Sequence, residues 1–205
     1  MKTHATFNKL SLCVVAMACI IGAVACASIP VRSYDQEVSQ WTSYEDVQNW
    51  MRKYYSYDMQ KVRKYQGKYT PGQALPCPVK TPEESYAERT GMCFDAANFA
   101  KDALNRIDPS YEAEVVHIEN RPYFKPNHVV CSFRMNGKLY ILDYGVPRKT
   151  GRRGVFGPFD SLEAYKDFYI EQHPKVTRVK SISFGWPDYF KDRIKESNAR
   201  REVQS

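Results

Sequence analysis

An α+β fold is what this sequence predicts, with N-terminal helices packed on a mostly antiparallel sheet. Three observations carry that expectation. Up to Ile107 the apolar residues recur at helical spacing, and after Glu112 they alternate as in strands. Asn136-Gly137 stands between two such alternating runs and is the preferred two-residue hairpin turn. The 205 residues, once a leader is set aside, suffice for one ordinary core.

Residues 1–25 read as that leader. Lys2 and Lys9 give a positive start, Leu10 to Val24 is almost wholly apolar, and Ala23-Val24-Ala25-Cys26-Ala27 supplies small residues. The apolar run is short for a membrane-spanning helix. Two processing outcomes compete. Cleavage before Cys26 resembles processing at a bacterial lipoprotein box and would lipidate that cysteine; cleavage after Ala27 would release a soluble protein. Lipidation is the favoured outcome, and it would tether the domain beside a membrane. Either way the expected location is outside the cytoplasm, facing the periplasm of a bacterial cell envelope or secreted. Loss of Lys2 and Lys9 lowers Lys+Arg from 30 to 28 against 23 acids, so the net charge falls from +7 to +5. That is too modest to point to nucleic acid, and the basic stretches Arg148–Arg153 and Arg193–Arg201 read as solvated faces.

The rest is read in chain order. Residues 26–42 are expected to be a tether and 43–205 a single domain. Ser43 to about Tyr65 reads as one helix, opened by Ser43-x-x-Asp46. Thr70 to Val79 is a proline-rich loop. Thr81-Pro82-Glu83-Glu84 is a capping box with proline at the first helical position, and Gly91 suits the end of the short helix that follows. Cys93, Ala96, Ala97, Ala100, Leu104 and Ile107 form one face of a second helix, stopped by Asp108-Pro109. Glu112–Ile118 and Asn127–Met135 read as strands and Lys138–Asp143 as the returning strand. Arg148–Gly157 is expected to be a basic loop, Ser161–Gln172 a helix, Val176–Phe184 a strand and Pro187 to about Arg200 a terminal helix.

The chemistry lies in three of these elements. Cys93 occupies the first turn of its helix, where free N–H groups and the helix dipole favour a thiolate; core packing is the competing reading of a lone cysteine. A two-residue turn at Asn136-Gly137 makes paired positions sum to 273. His128 and Asp143 then share a face as diagonal neighbours, about 7–8 Å apart at the backbone. A carboxylate there can hold one imidazole nitrogen and leave the other for a nucleophile. Cys131, opposite Leu142, faces the other way. Zinc bound by Cys93, His117, His128 and Cys131 is a rival reading, but the spacing lacks paired ligands.

Gly91-Met92-Cys93-Phe94-Asp95-Ala96-Ala97, Asn127-His128-Val129-Val130 and Tyr140-Ile141-Leu142-Asp143-Tyr144-Gly145 together resemble the nucleophile helix, histidine strand and aspartate strand of the transglutaminase-like superfamily. Thr81-Pro82-Glu83 is similar to the bacterial transglutaminase-like cysteine proteinases. The resemblance spans residues 81–145 and implies a papain-like fold. It also implies Cys93 as nucleophile, His128 as base and later acid, and Asp143 as orienting group. The activity implied is acyl transfer on peptide or isopeptide amides of a protein substrate, more often hydrolysis than cross-linking. The alternative is a catalytically idle envelope lipoprotein that binds peptide or glycan in the cleft. Acidic residues flank the cysteine in calcium-associated members; here Met92 and Phe94 stand there. Neither metal nor cofactor is expected, and the chain is expected to be a monomer. The Cys93 N–H is one oxyanion donor, and Tyr86 is the side chain offered for another. With Cys26 set aside along with the leader, an odd number of cysteines remains, Cys77, Cys93 and Cys131, which leads to the expectation of a Cys77–Cys131 disulfide that spares Cys93.

Overall fold

A computed structural model describes residues 32–65, 67–68, 76–121, 127–149, 151–173, 176 and 178–204. The leader and Cys26 lie outside the described residues.

The chain enters its folded unit earlier than its composition indicates. Tyr34–Val38 forms helix α1, capped by Ser33 and Gln36, and buries Tyr34 and Val38 in the core. The tether therefore cannot run to residue 42. Helix α2 spans Tyr44–Tyr54, and the Asp46 carboxylate at its start accepts the Thr42 and Ser43 N–H groups. The single helix expected to Tyr65 breaks here. Ser56–Tyr57 is a two-residue strand, β1, and Met59–Tyr65 a separate helix, α3. Tyr55 and Tyr57 are residues of better strand than helix character, and Tyr55 is wholly buried. The extended segment pairs in parallel with β2, Thr90–Gly91, which brings Tyr57 opposite Gly91.

Between them stands helix α4, Pro82–Glu88, with the Thr81–Glu84 capping box formed in both directions. Its C-cap is Arg89 in the left-handed region, not Gly91. Gly91 serves close approach instead. A Cβ there would lie 2.2 Å from the Tyr55 hydroxyl and 2.6 Å from Asp95 Cβ.

Helix α5 runs Cys93–Ile107, and its alanines let it pack closely on the sheet. The sheet has strand order β6-β5-β4-β3-β7 and is antiparallel throughout. Its strands are β3 Glu114–Arg121, β4 His128–Met135, β5 Lys138–Asp143, β6 Gly154–Phe159 and β7 Arg178–Phe184. Residues 154–157 thus belong to an edge strand and not a loop; Pro158 is tolerated there because an edge needs no further ladder. Asn136 and Gly137 both have positive φ, as the two-residue turn requires. The register is the one that turn predicts, from Met135↔Lys138 to Cys131↔Leu142.

The sheet is buried on both faces. Val115, Val129, Cys131, Phe133 and Leu142 meet α5 and its neighbours, while Val116, Val130 and Ile141 meet helix α6, Leu162–Gln172. Helix α7, Lys191–Gln204, closes the unit, with Arg200 bonded to Glu84 and to the Val79 carbonyl. No helix among the described residues is long and apolar enough to cross a membrane.

The Cys77–Cys131 disulfide is corrected: both thiols are free and buried. Cys131 lies deep beside Lys101, midway along α5. Cys77 lies near Lys61, Asp95 and Cys93 at the start of that helix, and burial pushes its thiol up to about 11.

Phe99 is the hub of the helical layer, in ring contact with Tyr34, Trp41, Trp50 and Tyr55 and without solvent exposure. Phe99→Ala is expected to cost about 3–5 kcal/mol, read as a lowered denaturant midpoint with an unchanged slope.

Candidate active site

The start of α5, the start of β4 and the end of β5 converge at one end of the sheet. Cys93 is the first residue of α5, with Met92 as N-cap. Asp95, two residues on, fixes that turn. Its fully buried carboxylate accepts the Met92 N–H at 2.8 Å, the Lys80 N–H at 2.8 Å and the Lys61 ammonium at 2.9 Å. Lys61 neutralises the carboxylate, so Asp95 does not oppose a thiolate at Cys93 as a bare like charge would.

His128 Nε2 and Asp143 Oδ2 lie 2.7 Å apart, both residues buried. The other oxygen of Asp143 accepts the Gly145 N–H at 2.9 Å, so the carboxylate is held at both ends. With Nε2 so engaged, Nδ1 is the ring nitrogen left over, and Cys93 is near enough to favour the charged ring. Burial opposes a charged imidazole. The Asp143 carboxylate, through its charge and its hydrogen bond, and then Cys93 outweigh it and hold His128 well above its ordinary value. Tyr169 of α6 stacks on the ring at 6.2 Å and 20°.

Gly145 joins the two halves. A Cβ at this position would lie 2.5 Å from Cys93 Cα and 2.8 Å from Cys93 Cβ. Only a residue without a side chain lets the end of β5 press on the tip of α5. The space left by the missing side chain is filled by the helix.

Tyr86 does not reach this place. It stacks on Trp50 at 5.2 Å and packs by Tyr34, in the layer of α1, α2 and α4. The tyrosine at the site is Tyr57, brought there by the pairing of β1 with the segment before Cys93. Burial, then Cys93, Asp95 and Asp143, raise its phenol far above the ordinary range, so it remains a proton donor at neutral pH. Tyr57 carries no local signal, because the apolar spacing from Ser43 to Tyr65 predicts one continuous helix. His117 is buried, with its Nε2 2.7 Å from the Tyr189 hydroxyl. Among the described residues, no group of three or more His, Cys, Asp or Glu side chains is arranged to hold a metal ion.

The profile of the transglutaminase-like domain family matches residues 28–151. The chain belongs to this family. The superfamily includes cysteine proteases, and membership supports a peptidase or acyltransferase type. Two solved structures of Legionella pneumophila LapG are similar to the chain. The EGTA-treated form is 21% identical over 49% of this chain and 50% of that one, with a TM-score of 0.34. The calcium-bound form is 14% identical over 75% and 77%, with a TM-score of 0.37. The crystal structure of a TGase is 15% identical over 62% of this chain and 32% of that one, also with a TM-score of 0.37. This transglutaminase-like chain thus spans about half the length of the EGTA-treated LapG chain. No curated protein matches it.

The raised affinity of His128 for its proton has a sign in stability. The folded-state value exceeds the ordinary 6.5, so the stabilisation is fully present below that value and is lost as pH rises through the folded one. Asp143→Asn removes the main cause. Denaturant titrations are expected to show a wild-type advantage over Asp143→Asn that is larger at about pH 6 than at about pH 9; an advantage independent of pH would contradict the assignment.

Proposed function

We propose that the chain is an exported, thiol-dependent acyl-transfer enzyme acting on peptide or isopeptide amide bonds, with hydrolysis its main outcome. The observation that carries the reading is the contact chain from the Cys93 thiol at a helix tip, through the His128 ring, to the Asp143 carboxylate 2.7 Å beyond. Export is supported by the apolar run Leu10–Val24 and the small residues around Cys26, which is the proposed point of lipidation.

In this reading His128 holds the thiol proton and Cys93 attacks as thiolate. A C–S bond forms as the amide carbonyl becomes a tetrahedral oxyanion. His128 then delivers its proton to the departing amine as the C–N bond breaks. A water loses a proton to His128 and attacks the thioester; the acid leaves and the thiolate returns. Asp143 keeps the ring oriented and favours its charged form in both halves. The Cys93 N–H, free at the first helical position, is one donor to the oxyanion. The Tyr57 hydroxyl replaces Tyr86 as the second.

Two experiments test this. Cys93 is expected to react with iodoacetamide at neutral pH faster than a free thiol, and His128→Ala to slow it about 10-fold or more. If Cys93 reacts no faster than a free thiol and His128→Ala changes nothing, the enzyme reading fails and a binding protein remains. On a peptide anilide that the wild type cleaves, Tyr57→Phe is expected to lower kcat by about 10–1,000-fold with KM and the alkylation rate little changed. A raised KM at constant kcat would assign Tyr57 to substrate binding instead.

A further inference from the structure

Beside the candidate site the structure gathers three arginines around a cavity of about 490 Å³. Arg52 comes from α2, Arg148 from the turn after β5, and Arg153 from the residue before Gly154, which pairs with Asp143. Arg148 and Arg153 both donate to the Tyr55 carbonyl, at 3.2 and 2.8 Å, which holds two like charges close together. Arg148 donates to the Lys53 carbonyl as well, and Arg52 to the Asn49 side chain. All these acceptors are neutral. Among the described residues no carboxylate lines the cavity, and none forms an ion pair with the three guanidiniums.

The neighbouring groups reinforce the imbalance. Arg153 lies over the Tyr144 ring at 4.8 Å, and its Nε is out of solvent contact with no hydrogen-bond partner. Burial, then Arg148, lower its affinity for its proton. The nearest acid, Asp143, is already bonded to His128 and Gly145. Elsewhere in the fold half-buried arginines are matched, as Arg200 is by Glu84 and Arg201 by Asp102. A cluster of planar forks without acidic partners, Arg153 half-buried and Arg52 and Arg148 exposed, is suited to an incoming carboxylate, which a guanidinium can bind in bidentate fashion.

We propose that this cavity is a subsite for the carboxylate of an acidic residue in the polypeptide substrate, seated beside the amide presented to Cys93. The substrate role rests on the acyl-transfer reading; the anion site itself does not. Continuity supports the placement: Tyr144 on the cavity wall lies between Asp143 and Gly145, and Gly145 touches Cys93.

Binding read without turnover tests it. Cys93→Ala protein is titrated calorimetrically with an end-capped hexapeptide carrying two aspartates and with its asparagine counterpart. The acidic peptide is expected to bind at least about 10-fold more tightly. Arg52→Gln with Arg148→Gln, both exposed, is expected to remove that preference while the thermal midpoint stays near that of Cys93→Ala alone. Lys149→Gln with Arg152→Gln, outside the cavity, is expected to keep it. Equal binding of the two peptides, or a preference that survives loss of Arg52 and Arg148, would overturn the proposal. So would arginine-dependent binding confined to inorganic phosphate or to phosphatidylglycerol vesicles. Failure of the thiol reading would appear separately, in the alkylation rates of Cys93 and His128→Ala.

Discussion

The buried carboxylate of Asp95 is the interaction on which the site depends. A carboxylate removed from water is costly unless it is paired and fully hydrogen-bonded. Here its three donors come from three segments: Lys61 on α3, Lys80 before α4 and Met92 at the head of α5. No one of these segments can shift without leaving a charge unsatisfied. Lys61 also lies 5.0 Å over the Phe94 ring, which further fixes its ammonium. Gly91 completes the arrangement by leaving room for the Tyr55 hydroxyl against Asp95. Cys93 inherits its position from this knot, and its sulfur emerges where the helix dipole is positive.

The sheet meets that fixed helix tip through backbone. Val130, on the same side of the sheet as His128, packs with Tyr165 and Tyr169 of α6, so the histidine ring is backed by one layer while the cysteine belongs to the other. The two layers can touch only where the sheet ends. Gly145 makes that end thin enough, and Asp143 holds Gly145 by its N–H and His128 by its ring with the same carboxylate. Orientation of the imidazole and approach of the thiol are therefore one constraint. Three residues from three elements are thereby gathered at one end of the sheet, nearly excluded from water.

Much of this was legible because short-range rules governed it. Asn136-Gly137 fixed a register, and the register alone put His128 and Asp143 on one face. The alanine stripe and Asp108-Pro109 marked α5 from end to end. What escaped was decided by distant partners. β1 is two residues long and is a strand only because residues some 33 positions later pair with it. Tyr57 and Tyr86 are the same residue type in similar company, and only that pairing tells which one reaches Cys93. Parity of cysteines could say that one was left over, but not that all three are free. Gly154, Gly157 and Pro158 read as loop punctuation because an edge strand is permitted residues that a central strand is not.

The extended break between α2 and α3 has a consequence that runs past the thiol. Had residues 55–57 stayed helical, the Tyr55 carbonyl would be committed within the helix, and Arg148 and Arg153 would lose their common acceptor. As a strand, the same three residues put a carbonyl on the arginine side, a buried ring under α5, and the Tyr57 phenol beside Cys93 and Asp143. One short segment thus anchors two arginines of the cationic cavity and sets the Tyr57 phenol near Cys93. The cations it anchors favour a negative charge brought into the cavity. The cation cluster and the placement of Tyr57 follow from the same local departure from helix.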